Sequence, residues 1–204
     1  MTDYFALLDE PRRPWIEPDS LKRKFFALSA EDHPDRVHQA SDAEKVAAQQ
    51  RYTELNAAYN CLREPKERLR HLLELERGTK PEDIQRIPSD LMDVFMEVSA
   101  VCRETDTFLA EKAQATSPLL KVRMFERGQG FTEKLMALQR RVNSRQEGLV
   151  AELKAIDAAW ITGGQSDSPG GNEALRRLEE LYRLFSYFSR WSGQLQERIA
   201  QISF

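Results

Sequence analysis

Residues 33–36 read His33-Pro34-Asp35-Arg36 and hold the most specific chemistry in the chain. Proline fixes one backbone dihedral and supplies no N–H. His33 and Asp35 are therefore presented on a stiff loop, with little ordering left to lose on contact, and Asp35 can accept a charge-assisted hydrogen bond. From ordinary residue frequencies, this tripeptide arises by chance in a chain of such length on the order of one per cent of the time. Its plainer reading is a tight loop in which Asp35 accepts backbone N–H groups. The remaining reactive residue types form no constellation. His38 and His71 have no second histidine at helical ligand spacing, and read as structural. Cys61 and Cys102 are too few for a disulfide scaffold or a self-contained zinc or iron–sulfur site, and read as buried thiols. No serine or cysteine is placed as a nucleophile, and no glycine-rich phosphate loop follows a strand. The acidic residues read as exposed helix charges, often opposite Lys or Arg at i+4. The expectation is a non-enzyme without catalytic residues, resident metal or cofactor.

The elements that must hold this loop are helices, and no segment alternates convincingly as a strand. A short first helix spans about Asp3 to Leu8 and ends near Pro11 and Pro14. A second opens at Pro18-Asp19-Ser20, where proline suits a first turn and Asp or Ser can cap it; Leu21, Phe25 and Leu28 share its apolar face. It must stop near Asp32, because Pro34 disfavours helix at the residue before it. Ser41 followed by Glu44 has the spacing of a capping box, and Ala48, Tyr52, Leu55, Tyr59 and Leu62 continue that third helix. Pro65 interrupts, and Leu69, Leu72, Leu73 and Leu75 resume an apolar face before Gly78. These dense leucines beside a linker are expected to pack the two halves of the chain together. Residues 78–87 read as the linker.

Beyond it, Pro88-Ser89-Asp90 opens a helix with Leu91, Val94, Phe95, Val98 and Cys102 on one stripe. Ser117-Pro118 starts another, whose later half repeats through Leu135, Leu138, Val142, Leu149, Leu153 and Ile156; Gly128 and Gly130 are expected to weaken or break its earlier half. Gly163 to Gly171 is a flexible hairpin connection. The last helix carries Leu175, Leu178, Leu181, Phe185, Phe188, Leu195, Ile199 and Ile202. Three such stripes can be buried only against one another, which predicts an antiparallel three-helix bundle. The fold class is all-α.

Composition narrows the partners. The 204 residues are 41% hydrophobic and 31% charged, with a formal net charge of -3. That balance supplies a core and many solvated helix faces, but no clustered basic surface of the kind a phosphate backbone needs. The N-terminus, Met1-Thr2-Asp3-Tyr4, has neither the basic start and apolar run of a signal peptide nor a transit-sequence character. No apolar stretch approaches the roughly 20 residues of a membrane span. The expected compartment is the cytoplasm, with neither nucleic acid nor membrane as partner.

The loop between two helices, the following Leu55-Asn56-Ala57-Ala58-Tyr59-Asn60-Cys61-Leu62, then Pro65 and Arg68, together resemble the J-domain family. The opening Asp3-Tyr4-Phe5-Ala6-Leu7-Leu8 and the run Glu67-Arg68-Leu69-Arg70-His71-Leu72-Leu73-Glu74-Leu75 are similar to the HscB-type iron–sulfur co-chaperones in particular. The resemblance covers the first 77 residues well and continues weakly around Leu91-Met92 and Tyr187-Phe188. A Gly-Phe-rich linker and CxxC repeats are absent. The family's usual tyrosine before the tripeptide is Asp32 here, and Phe26 and Ala27 occupy two commonly basic positions.

The resemblance implies a J-domain helical hairpin at 1–77, a linker at 78–87 and a helical bundle for client or scaffold at 88–204. It implies that His33, Pro34 and Asp35, with Arg36, Lys22 and Arg23 beside them, contact a heat-shock-type ATPase chaperone, HscA-like or DnaK-like, and stimulate its ATPase. An ordinary solvated face is the plainer reading of the cations. It also implies that Leu91, Met92, Phe95, Met96, Phe185, Tyr187 and Phe188 form the apolar surface for an IscU-like scaffold protein; packing against a neighbouring helix is the alternative for that stripe. A generic J-domain co-chaperone for another client and a non-catalytic helical adaptor stay open beside this expectation.

Overall fold

A computed structural model describes residues 2–31, 41–81, 87–163 and 169–203. Every regular element among them is helical, and the fold is all-α. In order they are α1 (Tyr4–Leu7), α2 (Pro18–Glu31), α3 (Asp42–Arg63), α4 (Pro65–Arg77), a 3-10 turn at Ser89–Leu91, α5 (Met92–Ala113), α6 (Pro118–Gly163) and α7 (Pro169–Ser203).

The local signals explain where these helices begin and end. The Asp3 carboxylate accepts from the N–H groups of Phe5 and Ala6 and so caps α1. Both halves of the capping box at Ser41 and Glu44 are formed. Pro65 occupies the first turn of α4, where a missing N–H costs nothing, and Gly78 closes that helix in the left-handed region at φ 70°, with its N–H donating to the Glu74 carbonyl.

The chain divides into two compact units, and neither is one contiguous segment. The first joins residues 1–82 to 151–182; the second joins 83–150 to 183–204. The physical reason is the length of α6 and α7: 46 and 35 residues, each supplying residues to both units. In the first unit α2 and α3 pair through Phe25 and Tyr59, whose rings stack at 4.4 Å. The leucine run of α4 is buried there, Leu69, Leu72 and Leu73 at 0% exposure. Four polar ties hold residues of 1–82 to residues of 151–182 within the same unit. Asp157 accepts from Arg13 Nε at 3.0 Å and from the Trp15 N–H at 3.0 Å, Trp160 Nε1 donates to the Arg12 carbonyl at 3.1 Å, and Arg77 pairs with Glu179 at 2.5 Å.

In the second unit three helices share one core. Leu91, Val94, Val98 and Cys102 meet Leu135, Leu138 and Val142 of α6 and Tyr187, Phe188, Trp191 and Leu195 of α7. The pairings fix an antiparallel order: Glu97 with Arg141 and Glu104 with Lys134 between α5 and α6, and Gln139 with Ser192 and Gly128 against Ile202 between α6 and α7. The expected break at Gly128 and Gly130 does not occur, and α6 runs through both. A Cβ on Gly128 would come within 3.3 Å of Ile202 Cγ2 and 3.4 Å of Phe108 Cζ. This glycine is buried at a close helix approach, and packing offsets its low helix propensity.

Candidate partner-binding surfaces

The tripeptide and its neighbours, His33, Pro34, Asp35 and Arg36, lie outside the described residues, as does His38. What the structure gives is the helix that leads into them. Leu21, Phe25 and Ser29 bury one side of α2; steps of about 100° per residue turn Arg23 to the opposite side and Lys22 to the edge of the buried stripe, and both are exposed. Lys24 lies between these sides and is held inward: its ammonium pairs with Glu10 at 2.9 Å and donates to the Asp9 carbonyl at 2.7 Å.

Two sequence segments that carry the resemblance, 67 residues apart, meet in the first unit. The Tyr4 N–H donates to His71 Nε2 at 3.1 Å, and the His71 ring stacks on Phe5 with centroids 5.8 Å apart. Burial holds the His71 pKa below its ordinary value, which keeps the ring neutral and able to accept. Arg68 is 2% exposed and is also structural. Its Nε donates to the Pro14 carbonyl at 2.8 Å and its Nη1 to the Leu62 carbonyl at 2.6 Å, while its guanidinium lies 5.4 Å from the Trp15 ring. Leu62 belongs to the last turn of α3, whose carbonyls lack helical partners. Arg68 thus caps α3 and fastens the segment before α2 to it. Burial lowers its pKa to about 10. Both cysteines are free and buried, and burial raises both thiol pKa values, Cys61 to about 11. Neither is a ready nucleophile.

The apolar set on the second unit divides. Met92 and Met96 are 42% and 57% exposed, and Phe95 is half-buried against the core. Leu91, Phe185, Tyr187 and Phe188 are not surface residues: they are 3%, 1%, 8% and 1% exposed. The correction follows from spacing. Leu91 precedes Val94 and Val98 by three and seven residues, Phe185 follows the buried Leu181 by four, and Phe188 precedes Leu195 by seven, so each falls on its helix's inward stripe. Tyr187 reaches the same core by stacking on Trp191 at 5.7 Å. The surface on α5 therefore consists of the two methionines and the edge of Phe95, with Leu91, Tyr187 and Phe188 in the core.

One apolar feature was missed by the sequence reading. At the start of α6, Leu119, Leu120, Val122 and Phe125 are 67%, 43%, 56% and 67% exposed. Beside them lies a cavity of about 870 Å³ lined by Phe108, Met124, Phe125 and Ile202, among others. It opens near the C-terminal end of α5, whereas Met92 and Met96 lie at its N-terminal end. The run Leu119-Leu120-Lys121-Val122 was the available signal, since it supplies more apolar positions than one helix stripe can bury.

Among the described residues, no helix is long and apolar enough to cross a membrane, and no group of three or more His, Cys, Asp or Glu could hold a metal ion.

The fold is similar to that of known structures. The chain resembles human co-chaperone HscB at 20% identity and TM-score 0.59, over 98% of this chain and 81% of that one. It resembles the chaperone HscB from Vibrio cholerae at 22% identity and TM-score 0.50, over 95% and 99%. The all-α fold is thus shared with these two structures. No family model matches the chain. Among curated relatives, a co-chaperone HscB homologue of Paraburkholderia phymatum is 31% identical over 157 residues, 76% of this chain and 87% of the relative. The chain belongs to the HscB co-chaperone family. The match to the Chromobacterium violaceum homologue is higher, 38% over 96 residues, but spans 47% of this chain and only 55% of that relative. For the Azoarcus homologue, at 40% identity, the span is 41% of the relative.

Proposed function

We propose that the chain stimulates the ATPase of a seventy-kilodalton heat-shock-type chaperone and brings to it the scaffold protein on which iron–sulfur clusters are assembled. The chaperone, HscA-like or DnaK-like, is contacted by His33, Pro34 and Asp35, with Arg36, Lys22 and Arg23 alongside. The scaffold, IscU-like, docks on Met92, Phe95 and Met96 over the core formed by Leu91, Tyr187 and Phe188, with Phe185 also buried. The chaperone-contacting segment is 1–77 and the scaffold-binding segment 88–204, joined by 78–87. The chain supplies no cofactor and no catalytic group, and acts in the cytoplasm.

The observation that carries this reading is the His33-Pro34-Asp35 sequence standing between α2 and α3 in a member of the HscB family. The exposed cations on α2 add to it, because charge at the rim of an interface mainly speeds and orients docking. Methionine suits the α5 surface, since a flexible thioether conforms to a partner.

The test uses two variants and two assays. His33→Gln keeps size and polarity but removes the imidazole; chaperone ATPase stimulation should collapse while circular dichroism stays helical. Met92→Ala with Met96→Ala should weaken scaffold binding by about 2–4 kcal/mol, the range of interface hot spots, and leave client-free stimulation unchanged. Phe95 is a poorer probe, because its half-buried ring also supports the core. Val122→Asp with Phe125→Asp, on the exposed start of α6, should leave scaffold affinity alone. Full stimulation by His33→Gln would sink the chaperone assignment. Chaperone binding without scaffold binding would indicate a J-protein for another client, and partner binding without any change in ATP turnover an adaptor.

A further inference from the structure

The outward side of α2 carries Lys22, Arg23, Phe26 and Ala27, all exposed. Phe26 is the anomaly. It is 58% exposed, and with Val46 it is one of two large apolar side chains left open among the described residues of the first unit. Lys22 Nζ lies 5.9 Å from its ring centroid, and the Phe25 ring lies 5.5 Å away on the inner side. Lys22 and Arg23 make no ion pair among the described residues, whereas Lys24, the next residue, is fully engaged with Glu10 and the Asp9 carbonyl. The α2 surface thus offers an aromatic ring flanked by two exposed cations that have no ion-pair partner among the described residues, with the small Ala27 side chain leaving room for close approach. An aromatic ring in water contributes little to the fold, and its large apolar area becomes favourable when a partner covers it.

We infer that Phe26 is an apolar anchor for the chaperone: it enters a recess of that partner rimmed by carboxylates, which face Lys22 and Arg23. This rests on the chaperone-stimulating function proposed above and adds the chemistry of the partner surface. The two kinds of contact separate by salt. Exposed charge pairs are screened as ionic strength rises, and burial of a ring is not. Docking through α2 therefore keeps a salt-resistant component that Phe26 supplies, and chaperones with a purely acidic, flat surface at this position are poorer partners.

The experiment titrates full-length chain against the ATP-bound chaperone in single-turnover ATPase assays at low salt and at high salt. Phe26→Ser should raise the half-saturating concentration on the order of tenfold at both salt levels, with maximal stimulation and thermal unfolding unchanged, since the side chain is exposed. Lys22→Ala with Arg23→Ala should weaken half-saturation at low salt, and its deficit should shrink at high salt. Half-saturation of Phe26→Ser equal to that of the parent chain would overturn the inference while leaving the function intact, as would a deficit that disappears at high salt. A parent chain that does not stimulate at all would overturn the function and this inference together; a parent chain that stimulates, and loses that stimulation in His33→Gln, keeps the function whatever Phe26→Ser does, which tells the two failures apart.

Discussion

Replacing Arg68 by methionine tests whether a buried cation can hold a fold by serving carbonyl groups. The two bonds, to Pro14 and Leu62, join a charged donor to backbone acceptors. Such bonds contribute about 1.5–3 kcal/mol each, so losing both costs about 3–6 kcal/mol. An opposing effect acts at the same site. Arg68 is 2% exposed and its Nη2 has no hydrogen-bond partner, so part of its desolvation is uncompensated. Exchanging buried ionic groups for apolar ones of similar volume can return about 1–4 kcal/mol. The carbonyl loss should win, because both acceptors stay behind in a buried place, and one of them ends α3. The expected net destabilisation is about 2 kcal/mol. Urea unfolding should be followed by far-ultraviolet circular dichroism and by tryptophan fluorescence, with Trp15 beside the mutated site. A lower midpoint at unchanged slope is the expected result. A variant as stable as the parent, or more so, would refute the reasoning, because desolvation would then outweigh the capping of α3.

Three further substitutions probe the same kind of accounting. The buried His71 ring accepts from Tyr4 only when neutral, and its pKa is held down by burial. The unfolded chain therefore takes up a proton near pH 6.5 that the folded chain resists, so this stability is present above about pH 6.5 and is lost as pH falls; His71→Phe should flatten the dependence of the urea midpoint between pH 7 and 5, and an unchanged slope would place the acid sensitivity elsewhere. Gly130→Ala, where an added Cβ meets nothing within 4 Å, should stabilise the chain by about 0.5–1 kcal/mol through helix propensity. Gly128→Leu should instead destabilise it by about 1–3 kcal/mol, because Ile202 and Phe108 already lie against that position; equal effects at the two glycines in thermal melts would count against the close approach.

Sequence alone determined the helices, because the signals that start and stop them are local. The capping box at Ser41 and Glu44, the first-turn prolines and the left-handed Gly78 each act within a few residues, and each formed where its spacing required. The tripeptide between two helices and the matching segments at 3–8 and 67–75 were legible for the same reason, as contiguous motifs. Tertiary structure decided what periodicity could not. A stripe tells which residues are apolar together, but not whether another helix covers them, so Leu91, Phe185, Tyr187 and Phe188 proved to be core while Met92 and Met96 stayed open. Gly128 reads locally as a helix breaker, and only the nearness of Phe108 and Ile202 shows why the helix runs through it. The compact units were equally hidden, since the pairing of Arg13 with Asp157 joins residues 144 positions apart, and no local pattern records which distant carboxylate a given arginine will find.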